Sequence, residues 1–359
     1  MLKISFIFNE GRKKRLESVE KIPGEFFYSY LNFKYEFDEY VDYVEISSIS
    51  NFMLRNFFKV IRKYSNIPIY TDKLLNKKTI VKIYNSDIII ATNQNLGFTI
   101  MPLIFFKKIL RKTKVYIFTM GLIEIKNKNW LNKYLINKLI NITCVFLFIS
   151  KNELEAFKNI YSTSKAKFIY VPFCVDSEFW KSNKNLQTKK ILFIGNDSNR
   201  DYDFLLKLAK KLPNLQFTFL TNHFNSTNLK NVTLLRGSWK ENSITDNDVK
   251  KLYESHFITI LPLHNSMQPS GQSVALQSMS MGNPVIISKT DGFWDDELFK
   301  HNKNILLLNK NNINLWVSKI NRLYSDDIFY KYISNNAREL IETEFNLNVL
   351  YKHMKKIVL

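Results

Sequence analysis

Two groups of residues in the second half of the chain have the composition of an anion-binding site. The segment Pro269–Ser273 (PSGQS) precedes a predicted helix over Val274–Met281. Its glycine and small side chains let backbone N–H groups approach a phosphate, and the helix dipole favours that anion. Arg200 follows Gly195 closely, and its guanidinium suits bidentate phosphate contact. These residues predict a phosphate site, with an ordinary capped helix and a solvated surface arginine as the alternatives.

Other catalytic chemistries have weaker support in the sequence. The five histidines lack metal-ligand spacing, and no Cys-x-x-Cys pair occurs. Two Asp-x-Asp pairs, Asp201 with Asp203 and Asp246 with Asp248, fall at predicted helix starts, where carboxylates are favoured without any metal. Neither a Gly-x-Ser-x-Gly turn nor a Walker-type loop is present. We therefore expect a site that uses no metal and no cofactor.

The elements that position these residues follow an α/β pattern. Continuous Ile, Val and Phe runs of strand length alternate with helical patterns, which is typical of parallel strands covered on both faces by crossover helices. Two runs, KISFIFNEG at the start and KKILFIGND at Lys189–Asp197, end in a glycine turn like the first strand of a doubly wound sheet. The chain has 359 residues, which suits two such domains.

The predicted domain boundaries follow from these two first strands. Residues 1–181 form the first Rossmann-like domain, and the polar stretch 182–190 is the predicted linker. Residues 191–344 form the second domain. Residues 345–359 are predicted to form a C-terminal helix that packs back on the first domain.

Four segments of the second half, in order and spacing, resemble glycosyltransferase family 4 and its GT-B relatives. They are VPFCVDSEFW (Val171–Trp180), ILFIGNDSNRDYDFLLKLAKKL, VTLLRGSWKENSITDNDVKKLYESHFITILPL and PSGQSVALQSMSMGNPVIIS. The resemblance implies the GT-B fold, two doubly wound Rossmann-like domains facing each other across a cleft. It also implies a metal-independent, retaining glycosyltransferase that moves a sugar from a nucleoside-diphosphate sugar to a hydroxyl acceptor. We expect this acceptor to be a lipid-linked or cell-surface glycan precursor.

The resemblance implies a set of donor-binding residues in the second domain. Gln277 occupies the position of the family's ribose-binding Glu, and its amide can both donate to and accept from ribose hydroxyls. Trp239 is predicted to wall the nucleobase pocket, with plain packing as the alternative. The predicted donor-binding residues are Gly195, Arg200, Trp239, Ser270, Gly271, Gln272, Ser273 and Gln277.

The same region departs from the family in its acidic residues. No carboxylate occurs between Ser255 and Thr290, so the family's acid against the donor sugar has no counterpart there. His264, Asn265 and Gln268 are candidates to replace it. This departure raises a second possibility, a catalytically weakened homologue that binds a sugar nucleotide or a glycan.

Two loops of the first half match the family's acceptor side in position. PGEFFYSY (Pro23–Tyr30) contains Gly24 and Glu25, and FTMGLIE (Phe118–Glu124) contains Gly121. Glu124 is a weak catalytic candidate, because a carboxylate at a helix start explains it equally well.

Positive charge is concentrated in one block of the first half. The formal net charge is +20, and residues 51–140 contain 17 Lys or Arg against 3 acidic residues. NFMLRNFFKVIRKY (Asn51–Tyr64) interleaves Phe52, Leu54, Phe58, Ile61 and Tyr64 with basic residues, as in helices that lie on anionic bilayers. The alternative is that these apolar residues are core and the lysines solvated. The predicted membrane-facing residues are Arg55, Lys59, Arg62, Lys63, Lys107, Lys108 and Arg111.

These patterns also predict location and partners. The apolar run at the N-terminus stops at Phe8, and Leu96–Phe106 is shorter than the roughly 20 residues of a spanning helix. We therefore expect a cytoplasmic protein, peripheral on the inner face of an anionic membrane, with a nucleotide-sugar donor and a glycan or lipid-linked acceptor as partners. Charge alone leaves nucleic-acid binding as a third function class, but no recognised module supports it and no nucleic acid is expected.

Overall fold

The computed structural model describes residues 2–18, 20–47, 52–110, 113–125, 129–182, 188–237 and 243–359. The chain divides into two compact units. Unit 1 comprises residues 1–19, 26–172 and 351–359, and unit 2 comprises residues 20–25 and 173–350.

Unit 1 is built on a six-stranded parallel sheet in the order β2-β1-β3-β4-β5-β6. Its strands are β1 Ile4–Phe8, β2 Val41–Glu45, β3 Ile88–Ala91, β4 Lys114–Thr119, β5 Val145–Phe148 and β6 Lys167–Tyr170. Its helices are α1 Arg12–Leu16, α2 Tyr30–Phe37, α3 Phe52–Ser65, α4 Lys77–Asn85, α5 Gln94–Leu110, α6 Trp130–Ile142 and α7 Lys151–Ile160. All described residues of β1, β3 and β5 are buried, because helices cover both faces of the sheet.

Unit 2 repeats this architecture with strand order β12-β11-β10-β7-β8-β9, again parallel. Its strands are β7 Lys190–Ile194, β8 Gln216–Leu220, β9 Val232–Leu235, β10 Ile258–Leu261, β11 Val285–Ser288 and β12 Leu306–Leu308. Its helices are α8 Tyr202–Lys211, α9 Asp246–Ser255, α10 Gln272–Ser280, α11 Ile313–Ser325 and α12 Asp327–Glu344. Trp316, Phe204 and Leu208 pack beneath the sheet in its apolar core.

The last helix, α13 Leu347–Val358, crosses the division between the units. Its residues from Tyr351 onward belong to unit 1, where the Tyr351 ring lies edge-on to Phe33 at 5.2 Å between centroids. Met354 and Val358 on the same helix are buried.

The division differs from the predicted boundary after residue 181. The second segment of unit 2 begins at Phe173, because Phe173–Trp180 is anchored in that unit. The Trp180 ring contacts Tyr253 edge-on, and the Trp180 carbonyl accepts a hydrogen bond from Ser280. Residues 183–187 of the predicted linker lie outside the described part of the chain. The sequence indicates the linker by low apolarity, whereas the packed Trp180 decides which unit its segment joins.

Candidate functional site

The carboxyl edge of the unit 2 sheet gathers the loops that carry the predicted donor-binding residues. The loop after β7 is joined to the loop after β10 by main-chain hydrogen bonds from Asp201 N to Pro262 O (2.9 Å) and from His264 N to Asn199 O (2.8 Å). The carboxyl ends of neighbouring parallel strands meet at one edge, where doubly wound sheets bind their ligands. This edge therefore brings Arg200 to the segment that opens α10.

Arg200 lies between two glycines. A Cβ atom on Gly195 would stand 2.2 Å from Arg200 Nε, and one on Gly271 would stand 2.8 Å from Nη1. Gly271 also has a φ of 78°, in the left-handed region that favours glycine. The sequence therefore needs glycine at both positions to admit the guanidinium.

The guanidinium of Arg200 is buried with little compensation. Arg200 is 3% exposed, so the alternative of a solvated surface arginine is wrong. Its Nε lies 3.3 Å from Asp197 Oδ2, but neither Nε nor Nη1 has a hydrogen-bond partner among the described residues. Burial lowers the pKa of the Arg200 guanidinium and Asp197 raises it, yet an arginine stays protonated in proteins. A buried cation with free N–H groups is a receptor for an anion.

The segment before α10 supplies further donors to the same place. α10 begins at Gln272, two residues before the predicted start, because Gly271 takes the left-handed conformation at its N-cap. Gly271 makes no side-chain hydrogen bond at the N-cap of α10, and the dipole of the helix favours an anion at this end. Ser270 is held by a 2.8 Å hydrogen bond from Asn199 Nδ2. The structure thus places Gly195 and Gly271 against Arg200, and Asn199, the residue before Arg200, is bonded to Ser270.

Gln277 lies on α10, inside a buried polar network. It is 4% exposed, and its Nε2 donates to Glu25 Oε1 at 3.0 Å. The Tyr253 hydroxyl lies 3.2 Å from both Gln277 Oε1 and the carbonyl oxygen of Val274. Both ends of the Gln277 amide are therefore fixed by neighbours.

Glu25 is the carboxylate that contacts Gln277, and its position differs from the prediction. The sequence predicts Glu25 and Gly24 on an acceptor-side loop of the first domain, whereas residues 20–25 belong to unit 2. Glu25 is fully buried, where it accepts hydrogen bonds from Trp180 Nε1 (2.7 Å), Gln277 Nε2 and the backbone N–H of Asp176 (3.2 Å). Burial raises its pKa to about 7, although these hydrogen bonds lower it. Gly24 is fixed beside it by its N–H to Asp176 Oδ2.

Of the candidates to replace the family's donor-side acid, two are placed by polar contacts. Asn265 exchanges hydrogen bonds with Asp291, through Nδ2 to Oδ2 and from Asp291 N to Asn265 Oδ1, each 2.8 Å. His264 Nδ1 lies 3.9 Å from Asp201 Oδ2 and is largely exposed. The backbone N–H of Gln268 donates to Ser266 Oγ, and this bond fixes the loop but not the side-chain amide of Gln268.

The loop around Gly121, which the sequence predicts to face the acceptor, is organised by Glu153, a residue that the sequence analysis does not single out. Gly121 N lies 2.9 Å from Glu153 Oε1 and 3.0 Å from Oε2, and Ile123 N also donates to Oε1. Glu153 is buried, which raises its pKa to about 7. Glu124 is exposed on the short 3-10 turn of the same loop. The pattern Ser150-x-x-Glu153, in which Ser150 caps α7, is the signal that marks Glu153.

Two of the predicted membrane-facing residues are turned inward. Lys107 is 3% exposed, and its ammonium donates to the backbone carbonyls of Ile83 and Ser86. Arg62 pairs with buried Asp72 and donates to Ile69 O. Long stems allow both side chains to reach backbone carbonyls below the surface. Arg55, Lys59 and Lys63 are exposed, whereas the side chains of Lys108 and Arg111 lie outside the described residues.

The apolar residues of α3 are divided between core and solvent. Phe58 is buried and Ile61 packs against the core, in line with the alternative that they are core residues. Phe57 (59% exposed), Val60 and Tyr64 instead form an exposed stripe. α6 lies beside α3, since Asn132 Nδ2 donates to Ser65 O, and it adds the exposed rings of Trp130 and Tyr134. We call Phe57, Val60, Tyr64, Trp130 and Tyr134 the aromatic face of unit 1.

The remaining predictions concern metals, membranes and the base. Asp201 caps α8, and Thr245 with Asp248 forms a capping box on α9, which confirms the capping interpretation. In the described part of the chain, no group of three or more His, Cys, Asp and Glu residues gathers as metal ligands. No described helix is both long and apolar enough to cross a membrane. Trp239, the predicted base-contacting residue, lies outside the described residues.

The second half of the chain matches a known protein family. Residues 175–340 match the family described as glycosyl transferases group 1. An uncharacterized glycosyltransferase from Methanocaldococcus jannaschii is 29% identical over 109 residues, which are 30% of this chain. The match spans about a quarter of that relative's length (27%).

Solved structures match both units. Anabaena HepE in complex with UDP-glucose has a TM-score of 0.69 at 15% identity, with 99% of each chain covered. Sucrose-phosphate synthase from Thermosynechococcus elongatus has a TM-score of 0.71 at 14% identity, covering 99% of this chain and 98% of that one. A glycosyltransferase from Rickettsia africae has a TM-score of 0.62 at 13% identity. The chain therefore has the GT-B fold, and residues 175–340 match the group 1 glycosyltransferase family.

Proposed function

We propose that this protein transfers a sugar from a UDP-sugar to a hydroxyl group of a lipid-linked or cell-surface glycan precursor. The observation that carries the proposal is Arg200, a buried guanidinium whose Nε and Nη1 have no hydrogen-bond partner among the described residues and which lies between Gly195 and Gly271, the residue before α10. That arrangement suits the diphosphate of a nucleotide sugar. Retention of anomeric configuration belongs to the proposal through the resemblance to the group 1 family.

The chemistry proposed for these residues is stabilisation of the leaving diphosphate. As the glycosidic bond to the donor breaks, negative charge grows on the β-phosphate. Arg200 and the first N–H groups of α10 are fixed before the reaction, so they stabilise this developing charge without reorganisation. Such positive groups perform the task that a divalent cation performs in other transferases, and for this reason we propose transfer without a metal.

We propose uridine as the base because a structure of the same fold was solved in complex with UDP-glucose. We propose that Gln277 contacts the ribose. In this proposal the diphosphate lies at Arg200, and the ribose lies toward the Gln277 end of α10. Trp239 remains a prediction for the base.

We also propose that unit 1 binds anionic membranes reversibly through its aromatic face and the basic residues of α3. Arg55, Lys59 and Lys63 are exposed beside Phe57 and Val60, which is the composition of an interfacial helix. Each basic residue near an anionic surface contributes about 1 kcal/mol. A cytoplasmic enzyme that acts on lipid-linked acceptors gains access to them in this way.

Donor binding is tested by thermal stabilisation with UDP-, GDP-, ADP-, CMP- and dTDP-sugars. We expect a shift with UDP-sugars that Arg200→Met abolishes. Arg338→Met removes a partly exposed ion pair with Glu342 in the same unit and should leave the shift intact. A ligand at a hundred times its Kd adds about 2.7 kcal/mol of stability, so the shift is measurable.

The possible outcomes separate the function classes. A donor-induced shift without transfer or donor hydrolysis would indicate the weakened homologue. Absence of any shift, together with tight and salt-sensitive nucleic-acid binding, would overturn the proposal in favour of a polyanion-binding protein.

Membrane binding is tested by sedimentation with vesicles containing phosphatidylglycerol. We expect Arg55→Glu, Lys59→Glu and Lys63→Glu combined to abolish binding. The matched control is Lys207→Glu, Lys210→Glu and Lys211→Glu, which changes the net charge equally at exposed positions of α8. Equal loss in both variants would show that net charge, not this face, binds the vesicles.

A further inference from the structure

The Gln277 amide has a defined capacity for hydrogen bonding. A primary amide carries two N–H donors and two acceptor lone pairs. One N–H of Gln277 is used by Glu25, and Oε1 faces the Tyr253 hydroxyl. One N–H and one lone pair are left, which match a pair of neighbouring hydroxyls that each donate and accept.

The orientation of this amide depends on Glu25 more than on Tyr253. The Tyr253 hydroxyl can donate its single proton to Val274 O and then accept from an amide N–H, so it tolerates either orientation. An ionised carboxylate only accepts, so it requires Nε2 of Gln277 to face it. Glu25 therefore decides which end of the amide faces Tyr253.

Glu25 itself is held from three directions. Trp180 Nε1, the backbone N–H of Asp176 and Gln277 Nε2 donate to it, and it is fully buried. It therefore acts on a ligand only through Gln277.

We propose that Glu25 is a positioning residue for the donor: it fixes the Gln277 amide so that one N–H and one Oε1 lone pair face the ribose 2′ and 3′ hydroxyls. This inference rests on the proposed function. Residues 255–290 contain no carboxylate, so Glu25 supplies the carboxylate of the donor site from outside that segment. The carboxylate comes from residue 25, and the amide from residue 277.

A pH dependence follows from this geometry. A protonated Glu25 can donate to Oε1 and so permits the reversed amide; its pKa is raised to about 7 by burial. The other charged or titratable groups around it are Asp176, whose carboxylate accepts the Gly24 N–H, and Tyr253, which interacts electrostatically with Glu25 and Arg200. Ribose selectivity should therefore fall as the pH is lowered from 8 to 6.

The experiment compares the affinities of UDP, 2′-deoxy-UDP and pyrophosphate by calorimetry in four proteins. They are the parent, Glu25→Gln, Gln277→Glu and the exchanged double variant Glu25→Gln with Gln277→Glu. We expect the parent to prefer UDP over 2′-deoxy-UDP by about tenfold, the scale of one hydrogen bond. Glu25→Gln should lose this preference and its pH dependence while it keeps the affinity for pyrophosphate, which binds at Arg200.

The double variant restores one carboxylate and one amide in the same pair, so it should recover most of the ribose preference. Gln277→Glu alone places two carboxyl groups in contact and should weaken UDP binding. Glu153→Gln, an equivalent change at a buried carboxylate of unit 1, is the control and should leave ribose preference unchanged.

The outcomes separate this inference from the proposed function. A parent protein that binds none of the three ligands refutes the proposed function. Glu25→Gln with unchanged ribose preference, or with equal losses for UDP and pyrophosphate, overturns the positioning role alone. If Glu25→Gln does not fold, the double variant decides: recovered preference supports the role, and a folded double variant without preference overturns it.

Discussion

Glu25 in unit 2 and Glu153 in unit 1 are alike in burial but differ in what they hold. Burial raises the pKa of each to about 7. Glu153 accepts from the backbone N–H groups of Gly121 and Ile123, whereas Glu25 accepts mainly from the side chains of Trp180 and Gln277. Backbone donors are present whatever the sequence, so Glu153 can shape a loop of variable composition. Glu25 is matched to particular side chains, and its effect depends on residue 277.

The two units also differ in where they place their cations. Unit 2 buries Arg200 with free N–H groups, whereas α3 of unit 1 exposes Arg55, Lys59 and Lys63 to solvent. A buried cation in a low dielectric interacts strongly with one anion, and exposed cations interact weakly with many. This contrast fits a specific diphosphate site in one unit and a reversible surface contact in the other.

The largest expected effect is that of Arg200→Met. Loss of a preorganised cation at the leaving diphosphate should lower kcat/KM by about 10²- to 10³-fold. The unfolding free energy should stay unchanged or rise by about 1 to 2 kcal/mol, because a buried charge with few partners is replaced by an apolar side chain. Kinetics and urea unfolding measure the two quantities, with Arg338→Met as the control. A large loss of stability would show that Arg200 is structural.

Glu153→Ala tests whether the unit 1 carboxylate holds its loop. Removing it leaves the N–H groups of Gly121 and Ile123 without their buried acceptor, which should cost about 2 to 3 kcal/mol of unfolding free energy. Glu124→Ala on the same loop is exposed and should change stability by less than about 0.5 kcal/mol. Equal effects in urea unfolding would contradict the role of Glu153.

The raised pKa values of these two carboxyls predict a pH dependence of stability. Between about 4.5, the ordinary value, and about 7, the folded state binds a proton that the unfolded state has released. The unfolding free energy should therefore fall as the pH rises through this window, by on the order of 1 to 3 kcal/mol per group, and level off above it.

The measurement for this prediction is the difference between the parent and Glu25→Gln or Glu153→Gln across pH 5 to 8. The difference isolates one group, because other carboxyls such as Glu36, whose pKa is lowered by hydrogen bonds from Lys355 and Tyr351, act in the opposite direction. Parallel curves for the parent and both variants would show that neither carboxyl has a raised pKa.

The fold of both units is readable from the sequence, because parallel strands buried on both faces leave continuous apolar runs. Lys189–Asp197 shows this directly: its run becomes β7, and Gly195 marks the turn that admits Arg200. The burial of Arg200 is a consequence of two glycines, Gly195 and Gly271, that lie far apart in sequence. That contact could be proposed from the motifs but not located.

The role of Glu25 could not be predicted in this way. It meets Gln277 across 252 positions, and no local periodicity records such a pairing. The prediction that Lys107 faces a membrane is wrong for a different reason. Its neighbours in sequence suggest a basic surface, but its side chain is long enough to bring the ammonium to buried backbone carbonyls. Charge patterns predict the average behaviour of a segment, and individual partners depend on the tertiary packing.

The smallest expected effect concerns the aromatic face of unit 1. Phe57→Ser should change the unfolding free energy by less than about 0.5 kcal/mol, because Phe57 is mostly exposed. It should weaken binding to phosphatidylglycerol vesicles by roughly threefold to tenfold, because an inserted phenyl ring contributes part of the 1.5 to 3 kcal/mol of full burial. Ile328→Ser is the matched control, since Ile328 is 83% exposed on α12 of unit 2. If both variants bind vesicles like the parent, the cations alone hold unit 1 at the membrane and the aromatic face has no part in it.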